Sequence, residues 1–249
     1  MEVYARSEVG RVRAGNQDYC KVVRRGDGEP FIVMVADGLG GHLSGEVASM
    51  MAVERCAGHI FERLGGGGGK RRLTAAVIRR AILGGFEAAN EEVFESSASD
   101  DSRFGMATTM IACVVAGERL CVGHVGDSRM YRFGPDGLRA VTTDHSLVAE
   151  LIGEGAITEE EAFSHPKRNV VTRTVGGMPY VEADYLELTP HGGETLLLVT
   201  DGVTDMLRES EVERILMDCG GLGEACDRLV EAANERGGAD NITVVALRV

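Results

Sequence analysis

Five aspartates stand at the edges of apolar or strand-like runs. Asp37 follows Phe31–Ala36, Asp201 follows Leu196–Thr200, and Asp127 follows Cys121–Gly126. Asp240 lies just ahead of Ile242–Val249, and Asp18 opens an early strand after Asn16-Gln17. Runs that share one core can deliver residues distant in sequence to a common rim. Carboxylates gathered there repel unless something positive sits among them. A divalent cation is the simple remedy, and a donor set of carboxylate, backbone carbonyl and water suits Mg2+ or Mn2+ and disfavours zinc. A plainer reading stands beside this one. Asp-Gly is a common turn pair, so Asp37-Gly38 or Asp201-Gly202, taken singly, reads as a turn. Recurrence beside three or four buried runs is harder to explain that way, and spacing alone leaves both readings open.

No rival catalytic signature competes. The chain has no Gly-x-x-x-x-Gly-Lys-Ser/Thr loop, no His-Glu-x-x-His and no Gly-x-Ser-x-Gly elbow. Gly38-Leu-Gly-Gly-His42 offers backbone amides to a phosphate, a weak signal by itself. Asn241-Ile-Thr243 matches a glycosylation sequon but opens an apolar strand and is discounted.

The elements that must position these acids follow from periodicity. Val3–Val12, Tyr19–Arg24 and Phe31–Ala36 read as extended, the last as a buried strand ending at Asp37. Ser44 is placed to cap a helix whose buried face is Met50, Val53, Ala57, Ile60 and Phe61. Gly65–Gly69 is a flexible connector. A second helix buries Ile78, Ile82, Phe86, Ala89 and Val93, with Gly84-Gly85 marking a close packing point or a kink. Met110–Val115, Arg119–Val125 and Met130–Phe133 read as an antiparallel meander. Leu147–Gly177 is a polar surface excursion with short helices. Strands at Tyr185–Leu188 and Thr195–Thr200, helices near Glu209–Met217 and Gly223–Glu235, and a strand at Ile242–Val249 complete the order. Strict βαβ alternation is absent, so a parallel doubly wound sheet is disfavoured and an α+β architecture is expected.

Composition sets limits. The 249 residues carry 26 Lys+Arg against 39 Asp+Glu, a formal charge of −13, which with no basic cluster beyond Lys70–Arg72 argues against a nucleic-acid partner. The apolar runs fall far short of the roughly 20 residues that span a bilayer, so no membrane role is expected. No secretory signal is visible behind Met1, and none of the six cysteines forms a Cys-x-x-Cys pair. They read as reduced thiols of a cytoplasmic protein.

Seven blocks carry a resemblance. They are Gly10-Arg-Val-Arg-Ala-Gly-Asn-Gln-Asp18, Val35-Ala-Asp-Gly-Leu-Gly-Gly-His-Leu-Ser-Gly-Glu46, Gly105-Met-Ala-Thr-Thr109 and Val125-Gly-Asp-Ser-Arg-Met-Tyr-Arg132, then Thr143-Asp-His-Ser146, Val199-Thr-Asp-Gly-Val-Thr-Asp205 and Ala239-Asp-Asn-Ile-Thr243. In this order the chain resembles the metal-dependent protein phosphatases of the protein phosphatase 2C type (PPM family) in their compact bacterial form. The resemblance covers nearly the whole chain. It implies one catalytic domain over residues 1–249: a central antiparallel β-sandwich with helices on both outer faces, four layers in all, and a flap over about 144–177 beside the site.

The resemblance also implies roles. Asp37 would bridge two metal ions, Mn2+ or Mg2+, with the Gly38 carbonyl on the first. Asp201 and Asp240 would bind the second, Asp18 would act mainly through bound water, and Asp127 with Asp201 would hold a third, weaker ion. Arg13 would grip the substrate phosphate, a task that suits a guanidinium. A hydroxide bridging two metals would then hydrolyse phosphoserine or phosphothreonine in proteins, opposing a Ser/Thr kinase. Two positions depart from the wider family. Gln17 stands where many relatives carry Glu, and Leu39 where animal relatives carry a His, leaving His42 or bound water to protonate the leaving group. The chain is expected to act as a monomer. The alternatives are a catalytically silent phosphoprotein-binding module of the same fold and a phosphatase of small metabolites.

Overall fold

A computed structural model describes residues 1–25, 28–41, 44–65 and 73–249. His42, the connector beyond Gly65 and the Lys70–Arg72 cluster lie outside the described residues. Elements are numbered in chain order. One antiparallel sheet runs β1 (Glu2–Glu8), β11 (Ile242–Arg248), β10 (Thr195–Val199), β7 (Arg129–Gly134), β8 (Gly137–Ala140). The other runs β2 (Asp18–Arg25), β3 (Gly28–Leu39), β5 (Met110–Ala116), β6 (Arg119–Val125), β9 (Asp184–Leu188), with the short β4 (Ala107–Thr108) paired to the end of β3. Helices α1 (Ser44–Gly65) and α2 (Ala75–Ser99) cover the second sheet, while α5 (Asp201–Thr204), α6 (Glu209–Asp218) and α7 (Leu222–Glu235) cover the first. Helices α3 (Leu147–Gly153) and α4 (Glu159–Phe163) lie between β8 and β9.

Three apolar cores make four layers. Between the sheets, Phe31, Val33 and Val35 of β3 meet Leu196 and Leu198 of β10 and Val245 of β11. The alternate residues of the same strands face outward: Ile32, Met34 and Ala36 join the core under α1 and α2, and Leu197 and Val199 join the core under α6 and α7. A strand covered on both faces has no solvent side, which is why these segments read as unbroken apolar runs. Truncating Leu197 or Leu198 to Ala would cost about 2–5 kcal/mol. Glycine closes the α1–α2 contact: a Cβ on Gly85 would stand 2.8 Å from the Cys56 sulfur, and one on Gly84 2.9 Å from the His59 ring.

The structure corrects four expectations. Strand β3 does not end at Asp37 but continues through Asp37-Gly38 to Leu39, held by β4. The meander is broken, because β5 and β6 pair within one sheet while β7 crosses to the other and pairs with β10. That crossover, Gly126-Asp127-Ser128, carries Asp127 to the rim. Met50 is 46% exposed, and the buried face of α1 is instead Ala48, Ala52, Val53, Cys56, Ala57, Ile60 and Leu64. Ser44 is the first residue of α1 and its hydroxyl donates to the Gly41 carbonyl at 2.6 Å.

Candidate active site

The first acids come from the second sheet. Asp18 and Asp37 are partners in the β2–β3 register, and they are 7% and 8% exposed. Two threonines fix the Asp37 backbone: its N–H donates to Thr109 Oγ1 at 3.0 Å, and its carbonyl accepts from Thr108 Oγ1 at 2.7 Å and from the Thr109 N–H at 2.9 Å. The next amide, Gly38 N–H, donates to the Gln17 carbonyl at 3.0 Å. Gly38 is required by proximity: a Cβ there would stand 2.0 Å from the Gly45 carbonyl oxygen.

The other acids come from the first sheet and the crossover. Asp201 opens α5 directly after β10. Its neighbour Gly202 lies against β11, where a Cβ would stand 1.9 Å from the Asn241 carbonyl oxygen. Neither Asp37-Gly38 nor Asp201-Gly202 is therefore a turn pair; each glycine admits a crossing backbone. Thr200 joins the sheets, donating to Asp18 Oδ2 at 2.8 Å and accepting from the Thr243 N–H at 3.0 Å. Asp240 precedes β11, accepts the Asn241 N–H on Oδ1 at 2.8 Å, and takes the Arg13 guanidinium on Oδ2 at 2.6 Å. Gly10, at φ +82°, lets the preceding loop press on this segment, where a Cβ would stand 2.2 Å from the Asp240 carbonyl oxygen.

The cluster is electrostatically incomplete by itself. Burial first, then the neighbouring carboxylates Asp201, Asp18, Asp127 and Asp240, push Asp37 well above the ordinary aspartate range. Burial likewise raises Asp201, with Asp127, Asp205 and Asp240 adding to it. Asp18 is pushed to about 7, mainly by burial and against hydrogen bonds from Thr243 and Thr200. Asp127 is pushed to about 7 by burial and by Asp144. Asp18 Oδ1 and Asp201 Oδ1 are buried with no hydrogen-bond partner, an arrangement that ordinarily costs about 1–3 kcal/mol per group and more for a charge. Hard oxygen donors with unmet negative charge fit a divalent cation of the Mg2+ or Mn2+ class. Among the described residues no group of three or more His, Cys, Asp and Glu side chains closes tightly enough to hold an ion alone. Such ions are commonly bound through one or two carboxylates with water retained, so a loose rim remains compatible with them.

Arg13 faces this rim, its charge coupled to Asp240, Asp201 and Asp37. Gln17 lies beside the Gly38 carbonyl; a Cβ on Gly45 would stand 2.7 Å from both Gln17 Oε1 and the Gly38 oxygen. A groove of about 560 Å³ runs from Asp127 and Asp201 between the 142–168 stretch and α5–α6. Ion pairs cross or line it: Arg129 with Asp144 at 2.7 Å, Arg168 with Asp205 at 3.3 Å, and Arg208 with Glu160. The 144–177 segment is tied at its stem by Leu147 N–H to the Val170 carbonyl and by a bridge between Thr108 and Val175.

Sequence reasoning assigned no role to the polar residues that build this rim. Asn241 donates to the Val9 and Gly15 carbonyls and accepts the Gln17 N–H at 2.8 Å, clamping the loop that carries Arg13. Ser49 Oγ donates to the Gln17 carbonyl, and Thr109 Oγ1 meets Ser128 Oγ at 2.8 Å. Their signal was available: each is a small polar residue next to a carboxylate or buried in an apolar face.

Residues 10–242 match the family model described as Protein phosphatase 2C. The chain is 38% identical over 245 residues to "Serine/threonine phosphatase stp" of Listeria monocytogenes, covering 98% of this chain and 94% of the relative. The solved Streptococcus agalactiae serine/threonine phosphatase superposes with a TM-score of 0.88 at 32% identity, covering 100% and 99% of the two chains. A structure of the catalytic domain of serine threonine protein phosphatase PstP, in complex with two manganese ions, superposes at 0.82 with 31% identity, covering 98% and 96%. With its two antiparallel sheets, its aspartate rim and this coverage, the chain belongs to the protein phosphatase 2C family and is a serine/threonine protein phosphatase.

Proposed function

We propose that this phosphatase hydrolyses phosphoserine and phosphothreonine at the rim shared by Asp18, Asp37, Asp127, Asp201 and Asp240. The single observation that carries the placement is the pair of buried, unpartnered oxygens, Asp18 Oδ1 and Asp201 Oδ1, among carboxylates (Asp18, Asp37, Asp127 and Asp201) raised first by burial and then by neighbouring charge. Asp37 and the Gly38 carbonyl, Asp201 and Asp240, and Asp18 at one remove would hold two Mn2+ or Mg2+ ions, with Asp127 and Asp201 holding a weaker third. When bound, such ions supply activation of water at neutral pH and neutralisation of charge on the phosphoryl group. Arg13 orients the phosphate by two parallel N–H···O bonds, releasing Asp240 to do so. Thr108 and Thr109 hold Asp37 from behind, so its carboxylate does not relax away from the charge it must meet. The whole chain acts as one catalytic domain.

The 144–177 segment serves as a flap, and the adjoining groove receives the protein chain around the phosphorylated residue, which favours proteins over small metabolites as substrates. All six cysteines are free thiols, in keeping with a reducing cytoplasm. No helix among the described residues is long and apolar enough to cross a membrane. A Ser/Thr kinase supplies the phosphoproteins, and the enzyme works as a monomer. The decisive experiment is Mn2+-dependent hydrolysis of a phosphothreonine peptide and of p-nitrophenyl phosphate. Asp201→Asn should reduce both by about 100–1,000-fold, as loss of a group acting on the transition state does. Undiminished turnover in a folded Asp201→Asn protein would overturn the placement.

A further inference from the structure

His145 belongs to a block, Thr143-Asp-His-Ser146, to which the site described above assigns no chemistry. Its ring is 6% exposed at the side chain, and its backbone and ring both hold one residue. The His145 N–H donates to the Gly126 carbonyl at 2.8 Å, and the Gly126 N–H donates to His145 Nδ1 at 3.0 Å. Gly126 is the residue before Asp127, at φ +111°, in the crossover between the sheets. A Cβ there would stand 2.5 Å from the Thr109 side chain, so the turn is packed from the other side as well.

An imidazole that accepts on Nδ1 must carry its proton on Nε2. That atom lies 3.3 Å from Asp184 Oδ2, while Arg173 Nη1, which cannot bond a protonated Nε2, donates to Asp184 Oδ1 at 3.1 Å. The tautomer is thereby fixed, and an imidazolium would have no lone pair left for Gly126. The ring also stacks on His124, with centroids 4.8 Å apart. His124 Nε2 lies 3.0 Å from the Ser128 carbonyl on the far side of the same turn. The backbone of His145 faces the flap: its carbonyl accepts the Thr172 N–H at 2.8 Å. The groups facing His145 are therefore Asp184, Arg173, Asp144 and His124.

We propose that His145 is a positioning residue: its Nδ1 and backbone N–H clamp Gly126, set the turn that presents Asp127 to the rim, and tie that turn to the stem of the 144–177 segment. The inference rests on the reading of Asp127 as a cation ligand. Partners that orient ligands from behind typically contribute about 10–100-fold in metal affinity.

The test has three readouts on the full-length protein: hydrogen exchange at the Gly126 amide, Mn2+ uptake by calorimetry, and thermal stability. His145→Ala should speed Gly126 exchange and weaken the weakest Mn2+ step by about tenfold each. His145→Asn, whose Oδ1 stands where Nδ1 does, should restore both to within about threefold of the parent. An unchanged exchange rate and unchanged Mn2+ uptake in His145→Ala overturn the proposal. So does an Asn variant of parental stability that restores neither. Should His145→Ala fail to fold, the through-hydrogen-bond 15N–15N coupling between Gly126 and His145 Nδ1 in the parent protein decides, and its absence overturns the clamp. Asp127→Asn separates the two readings: unaltered Mn2+ uptake there removes Asp127 as a ligand, while Gly126 exchange still reports whether His145 holds the turn.

Discussion

Asp18 and Asp37 sit directly opposite each other across the β2–β3 ladder, two buried carboxylates where a sheet ordinarily avoids like charges. Burial first, and the charge of Asp240 after it, favours proton uptake by Asp18 when no cation is present. Asp18 has a folded pKa of about 7, against about 3.9 in an unfolded chain. Between those values the native state holds a proton that the unfolded state has released. Its contribution to stability is therefore fully present below the unfolded value and is lost as pH rises through about 7.

Asp18→Asn should stabilise the cation-free protein at pH 8 by roughly 1–3 kcal/mol, since it replaces a charge stranded in a buried site. The gain should shrink as pH falls and vanish only at about pH 3.5, below the unfolded value, where both states hold the proton. Urea unfolding in EDTA at the two pH values measures this. Mn2+ should reverse the ranking, raising the melting temperature of the parent more than that of the variant. A parent and variant of equal stability at pH 8 in EDTA would contradict the electrostatic account.

Glycine at Gly38 and Gly202 makes a second, purely steric prediction. Neither has a positive φ, so alanine meets no backbone strain. The added Cβ instead meets the carbonyl oxygen of Gly45 at 2.0 Å or of Asn241 at 1.9 Å. Gly202→Ala should cost about 2–3 kcal/mol as overpacking does. Gly134→Ala, with nothing within 4 Å, should stay within about 0.5 kcal/mol, the ordinary range for surface changes. Chemical denaturation of the pair checks the contrast.

This pair also shows how far the sequence could be read. Asp37-Gly38 and Asp201-Gly202 are chemically turn-like, and nothing local distinguishes a glycine that bends from one that admits a crossing backbone. The distinction belongs to Gly45, seven residues beyond Gly38 in the first turn of α1, and to Asn241, 39 residues beyond Gly202. Elements with a covered face were legible: α2 buries the five residues its periodicity picks out. The sheet membership of β7 was not, because a short connection after β6 looks the same whether the next strand pairs beside it or crosses the sandwich. The rim acids were legible because each abuts an apolar run. His145 was not, since its role lies in a bond to a backbone amide that leaves no mark on composition.

Arg13 yields the third prediction. It holds Asp240 at 2.6 Å while half exposed, so phosphate and Asp240 compete for one guanidinium. Arg13→Ala should lower kcat/KM on a phosphopeptide by about 10–100-fold, the worth of a charge-assisted bidentate contact. Mn2+ affinity should not fall, because the substitution frees a carboxylate oxygen. Steady-state kinetics at saturating Mn2+ together with calorimetry separates the two effects. Parallel losses in both would mean that Arg13 chiefly supports the metal site.

Gln17 yields the last. Its side chain lies beside the Gly38 carbonyl at the β2–β3 end of the rim, where a carboxylate would add negative charge near the first ion without becoming its direct ligand. Gln17→Glu should therefore lower the Mn2+ concentration for half-maximal activity by about tenfold, the lower end of what outer partners contribute, with kcat changed little. The same charge would join Asp18 and Asp37 in the cation-free protein and should lower its stability in EDTA at pH 8. Measuring both matters, because an affinity gain without the stability loss would place the new carboxylate outside the repelling cluster. An Mn2+ dependence identical to the parent would show that Gln17 does not face the ion at all.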